Sequence, residues 1–99
     1  MPRLETLLIQ KDPAESRLVE FDFAGDLTAP ASAVVSVTPI NGADPAAASM
    51  LDGVPVISGT VVSQRVKLGV DKLNYKLRCE ATQGVDVRVR AAILPVRTA

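Results

Sequence analysis

The sequence predicts an all-β protein built as two packed antiparallel sheets, and three observations predict it. The last third alternates apolar and charged residues across a glycine turn. Tyr75, Leu77, Cys79 and Ala81 interleave with Lys76, Arg78, Glu80 and Thr82; after Gln83-Gly84, Val85, Val87, Val89 and Ala91 interleave with Asp86, Arg88 and Arg90. This period of two is the mark of a hairpin with one wet face and one buried face, the apolar sets of both strands pointing inward. Fourteen valines stand against three aromatic residues, so the core is filled by β-branched side chains, which pack on pleated surfaces better than in helices. Proline or glycine punctuates the apolar runs at intervals of roughly 8–14 residues, the rhythm of a sandwich of short strands.

The elements follow in order. Leu4 to Ile9 is an apolar opening strand, which Lys11-Asp12-Pro13 ends because proline lacks a donor and forces the residue before it to be extended. Arg17 to Phe23 alternates, with Val19, Phe21 and Phe23 on one face and Glu20 and Asp22 on the other, until Gly25-Asp26. Ser32 to Thr38 is a third strand closed by Pro39. The stretch near residues 45–51 admits a short helical turn with Asp44 as N-cap and Pro45 at its first position. Val54 to Ser58, interrupted by Pro55, reads as an edge strand. Thr60 to Leu68 places Val62, Val66 and Leu68 inward, and Gly69-Val70-Asp71 turns the chain into the final hairpin.

About seven strands in 99 residues make one immunoglobulin-like domain. Tyr75 stands where a tyrosine corner is expected, near the start of the penultimate strand. Leu77 occupies the position of the usual disulfide cysteine, and tryptophan is absent, so the expected sandwich is of the disulfide-free kind. Residues 1–10 and 94–99 are expected to extend as arms able to add strands to a neighbour.

Composition narrows the function classes. Eleven basic and eleven acidic residues cancel, which leaves no overall field to draw nucleic acid or an anionic membrane. The balance is not local: residues 1–53 hold eight acids and three bases, residues 54–99 eight bases and three acids. Such halves either pair across strands or form opposed patches suited to head-to-tail packing. The single cysteine, Cys79, excludes an internal disulfide, and without any histidine it has no imidazole base to make it a nucleophile. No apolar stretch is long enough for a signal peptide or a membrane span, so the expected compartment is the cytoplasm or something assembled there.

The runs Leu8-Ile9-Gln10-Lys11-Asp12-Pro13 and Phe21-Asp22-Phe23, followed by Gly69 to Tyr75 leading into alternating strands, resemble the small tail-adaptor proteins of tailed bacteriophages. Those proteins place a Lys-Asp-Pro motif between an N-terminal strand and an aromatic-Asp-aromatic strand and end in a tyrosine-led hairpin. Here Pro45 to Met50 departs as an insertion, and the tryptophan that often follows the aromatic pair is missing. The resemblance implies a virion structural protein, assembled in the bacterial host cytoplasm, that joins tail or neck to a fibre or spike. Its expected partners are portal, neck, tail or fibre proteins and further copies of itself in a symmetric array. The alternatives are a capsid decoration or cement protein and a non-viral β-sandwich interaction module.

No cofactor, metal, nucleic acid or catalytic role is expected. The acids from Asp12 to Asp26 lack calcium-loop spacing, and no aromatic side chains stand among Lys76, Arg78, Arg88 and Arg90 to stack bases. The expected partner contacts are Leu4, Leu7 and Ile9 of the N-terminal arm, Met50 and Leu51 of the central loop, the basic pair Arg88 and Arg90, and Leu94 and Val96 of the tail. The expected structural core is Val19, Phe21, Phe23, Tyr75, Leu77, Cys79, Val87 and Val89.

Overall fold

The computed structural model describes residues 6–99. Its strands are β1 (Thr6–Leu7), β2 (Arg17–Asp22), β3 (Ser32–Pro39), β4 (Leu51–Ser58), β5 (Val61–Val66), β6 (Asn74–Gln83) and β7 (Asp86–Pro95), with a 3-10 turn over Ala47–Met50. They form two sheets, in the orders β1-β7-β6-β3 and β2-β5-β4. Every pairing is antiparallel except that of β1 on β7. Taking β2 to β7 as strands B to G, the sheets are B-E-D and C-F-G, the membership of an immunoglobulin-like sandwich, with the first strand lying on the G edge.

The core sits between the sheets. Val19 and Phe21 of β2 and Val62 and Val66 of β5 face Val35 of β3, Tyr75, Leu77, Cys79 and Ala81 of β6, and Ala92 and Leu94 of β7; Phe23, Leu27, Met50 and Val96 close the ends. Six of the eight expected core residues, Val19, Phe21, Phe23, Tyr75, Leu77 and Cys79, are buried there. Leu68, expected inward, is exposed instead, because the chain leaves β5 at Val66 and Leu68 takes a left-handed φ of 59°.

Val87 and Val89 are the corrections to the expected core. Val87 is 47% exposed, and Val89 is half-buried on the outer face. The hairpin loop is the cause. Gln83 pairs with Asp86, leaving a two-residue turn of Gly84 and Val85 in which only Gly84 has positive φ (62°), the type II′ arrangement. A two-residue turn pairs odd positions with even ones: Tyr75 faces Leu94, Leu77 faces Ala92, Cys79 faces Arg90 and Ala81 faces Arg88. Directly opposed residues share a face, so the even set of β7 turns inward and the valines turn out.

The tyrosine corner forms as the sequence suggests. The Tyr75 hydroxyl accepts a hydrogen bond from the Val70 amide at 2.9 Å and donates one to Asp44 Oδ2 at 2.9 Å. Asp44 lies before the helical turn. Its Oδ1 accepts from the Ala46 amide at 3.0 Å, an Asx-turn, and the 3-10 turn begins two residues later than the expected cap position would set it. Gly69 lies over the same corner with φ at 102°, and a Cβ there would meet Val96 Cγ2 at 2.9 Å. Glycine is required on both counts.

The C-terminal segment is no free arm. β7 runs to Pro95, Val96 is buried, the Arg97 amide bonds Lys11 O, the Thr98 amide bonds Asp71 Oδ1, and the Ala99 amide bonds Asp12 Oδ2.

Candidate functional site

At the N-terminal seam a lysine is folded into the body of the domain. The Leu8 amide bonds Ile93 O at 2.8 Å and the Lys11 amide bonds Pro95 O at 2.9 Å, so the chain from β1 to Lys11 runs beside β7 and its extension. Lys11 is 0% exposed. Its Nζ donates to Leu68 O at 2.7 Å and Asp12 O at 2.9 Å, with Pro13 O at 3.5 Å. These carbonyls replace the water a buried ammonium loses, while burial still pulls its pKa below that of an exposed lysine. Lys11 thus ties the Lys-Asp-Pro segment to the left-handed Leu68 through its side chain and to the tail through its backbone.

Outside this knot the seam is apolar. Leu8, Ile9, Arg17, Leu18, Val19, Glu20 and Leu94 line a shallow groove of about 190 Å³ between β1 and β2. Arg17 bridges its rim, donating to the carbonyls of Ile9 at 3.2 Å and Gln10 at 2.8 Å.

Leu18 also belongs to a second groove, of about 420 Å³, on the outer face of β2-β5-β4 with Asp52, Val54, Val56, Ser63 and Arg65. A bulge makes that groove. Asp52 pairs with Arg65 and Val56 with Ser63, so Gly53, Val54 and Pro55 all stand opposite Gln64. The bulge frees the Gly53 carbonyl, which accepts from the buried Gln64 Nε2 at 3.1 Å; the same Nε2 donates to Arg65 O at 2.9 Å. Val54 is thereby pushed into solvent at 82% exposure. The two grooves meet at Leu18, so exposed Ile9, Leu18, Val54 and Val56 line one apolar tract with Arg17, Glu20, Asp52 and Arg65 set along it.

The expected contact residues divide on this geometry. Ile9 is exposed at the tract; Leu7 is exposed as well but sits opposite Ile93 of β7, outside both grooves, and Leu4 lies outside the described residues. Met50, Leu94 and Val96 are corrected to core: each is buried, Met50 as the inward-facing last residue of the 3-10 turn and the other two on the inward phase of β7 and its extension, Leu94 reaching only the floor of the β1–β2 groove. Leu51 is half-buried against the core.

The basic pair Arg88 and Arg90 does not join Lys76 and Arg78 in one strip. Arg88 and Arg90 lie on the face of Ala81 and Cys79, opposite to that of Lys76 and Arg78. Arg90 stacks on the Phe23 ring at 5.1 Å from its centre and pairs with Asp26 at 2.6 Å, closing one end of the sandwich. Among the described residues, Asp26–Arg90 and Asp52–Lys67 (3.9 Å) each join an acid of the first half to a base of the second, so part of the split charge is taken up within the chain.

Sequence reasoning missed Lys11, Gln64 and Gln83. Gln83 Oε1 accepts from the amides of Thr28 and Ala29 at 2.9 and 2.8 Å and pins the loop after β2 to the hairpin. For Gln64 a signal existed, because it falls in phase between Val62 and Val66; Lys11, inside a polar run, gave none. Among the described residues no group of acids and cysteine is arranged to hold a metal, and no helix is long and apolar enough to cross a membrane. Compared with protein-family models, curated proteins and solved structures, the chain matches none.

Proposed function

We propose that this chain is a structural protein of a tailed-bacteriophage particle, an adaptor that joins tail or neck to a fibre or spike through protein contacts. The observation that carries the reading is the apolar tract about Leu18, where large side chains stand in solvent on a β-bulge, on β2 and on the segment that follows β1. Apolar surface rimmed by charge marks a place where another protein packs. Its chemistry asks for an apolar ridge flanked by groups that complement Asp52 and Arg65. The Lys-Asp-Pro and aromatic-Asp-aromatic runs supply the reason to look for that partner in a phage particle.

Purified particles from the infected bacterium, analysed by quantitative mass spectrometry, test this. The wild-type chain is expected in tailed particles at a copy number matching a symmetric ring. Val54→Asp is expected to lower its incorporation at least tenfold while leaving the thermal midpoint of the isolated protein within a few degrees. Absence from particles, or normal incorporation of the variant, overturns the proposal. Recovery on tail-less heads would favour a decoration role over an adaptor.

A further inference from the structure

β3 ends its sheet on the side away from β6, and over Ser32–Thr38, before Pro39 closes the strand, this edge lacks the charge, bulge or shortness found on the other edge strands. Proteins blunt sheet edges with charge, proline, bulges or shortness. β1 has two residues, β4 is bulged and contains Pro55, and β2 carries Arg17, Glu20 and Asp22. From Ser32 to Thr38, by contrast, β3 has no charge and no proline, and Val34 is 66% exposed.

The phase of its hydrogen bonds is fixed by the Ile40 amide, which donates to Asn74 O at 3.0 Å in register with the β3–β6 ladder. Even-numbered residues therefore direct their backbone groups to β6, and Ala33, Val35 and Val37 direct theirs to the open edge. No turn or loop of the described residues bonds to those three.

We infer that a second copy of this chain pairs along this edge, antiparallel about a two-fold axis at Val35, so that two sheets continue as one. The register is self-complementary. Ala33 then meets Val37 and Val35 meets Val35 on the inward face, while Val34 meets Ser36 and Ser32 meets Thr38 on the outer face. No like charges are opposed within the strands. In the adjacent row, Glu80 lies beside Val34 and Arg78 beside Ser36, so each cross-seam row carries Glu80 of one copy and Arg78 of the other. Because the same edge serves both copies, the contact closes at two and does not propagate. Strand pairing alone is smaller than a standard interface, so the dimer forms in the micromolar range. The inference stands whether or not the particle assignment does.

Sedimentation equilibrium and amide hydrogen exchange over about 1–500 µM test it. The expected result is a monomer at the low end and a dimer at the high end. The amides of Ala33, Val35 and Val37 should gain at least tenfold protection with concentration, those of Val34 and Ser36 being protected throughout. Val34→Lys sets a charged side chain on the paired edge, opposite Ser36 of the second copy, and should raise the half-dimerisation concentration at least tenfold; Val85→Lys, at the hairpin tip, should leave it unchanged. A monomer at every concentration overturns the inference, and so does a dimer in which the three odd amides stay unprotected.

Discussion

Single side chains set the conditions under which this sandwich closes, and two of them illustrate opposite solutions to burial. Lys11 enters a fully buried site and survives there because backbone carbonyls receive its protons. Cys79 enters as a small apolar residue, and burial alone pushes its thiol up to about 11. At neutral pH it is therefore almost entirely in the unreactive thiol form as well as inaccessible. Labelling by a disulfide reagent at pH 7.5 should be at least a hundredfold slower in the native protein than in urea, with a rate that follows global unfolding. Rapid native labelling would contradict the placement. Cys79→Ser, which buries a hydroxyl in the same apolar site, should cost about 1–3 kcal/mol by urea unfolding. The burial of Cys79 was legible from its place in the alternation. The burial of Lys11 was not, since besides the neighbouring Asp12 and Pro13 carbonyls its shortest bond goes to the carbonyl of a left-handed Leu68 far along the chain.

At the scale of elements, strand positions were legible and the facing of β7 was not. Residue alternation gives a strand two candidate phases, and both read well in the last strand. Val85, Val87 and Val89 make one apolar set; Ala92, Leu94 and Val96 make the other. The turn chooses between them: a loop of two residues shifts parity and commits the later set to the core. The reversal is visible in substitutions. Val87→Asp should change stability by about 0.5 kcal/mol or less, as for a surface change, whereas Leu94→Ala should cost about 2–5 kcal/mol through the cavity it leaves. Chemical denaturation of the two variants measures this, and unfolding caused by Val87→Asp would mean that the valine phase faces inward. The β4 bulge has the same character. Pro55 announced an edge strand, but the register break that exposes Val54 depends on Gln64, a residue of the neighbouring strand.

For the whole molecule the decisive electrostatics are local hydrogen bonds rather than the opposed charge of the two halves. The Glu15–Arg17, Asp52–Lys67, Glu80–Arg78 and Asp26–Arg90 pairs are all at least a quarter exposed, so screening leaves each worth little, and added salt should move the melting point only slightly. Acid acts differently. The carboxylate of Asp12 is held below the usual aspartate range by the Ala99 and Ala14 amides, and that of Asp22 by the Ala24 amide and the Thr60 hydroxyl. Each stitches one loop to another part of the fold, Asp12 the C-terminus to the seam and Asp22 the end of β2 to the turn before β5. Because their folded pKa values lie below the ordinary 3.8, their contribution is complete above that value. As pH falls, the unfolded chain takes up the protons first, and the contribution fades down through the folded values. The melting temperature should therefore be nearly flat from pH 7 to 5 and fall below about pH 4. The double variant Asp12→Asn, Asp22→Asn cannot titrate; it keeps the Asp22 acceptor but only one of the two that Asp12 offers to Ala14 and Ala99. It should therefore start from a lower melting point and show a shallower acid slope than wild type in circular dichroism melts from pH 5 to 2.5. Equal slopes would place the acid sensitivity in other carboxylates and remove these two loop ties from the account of how the sandwich is held shut.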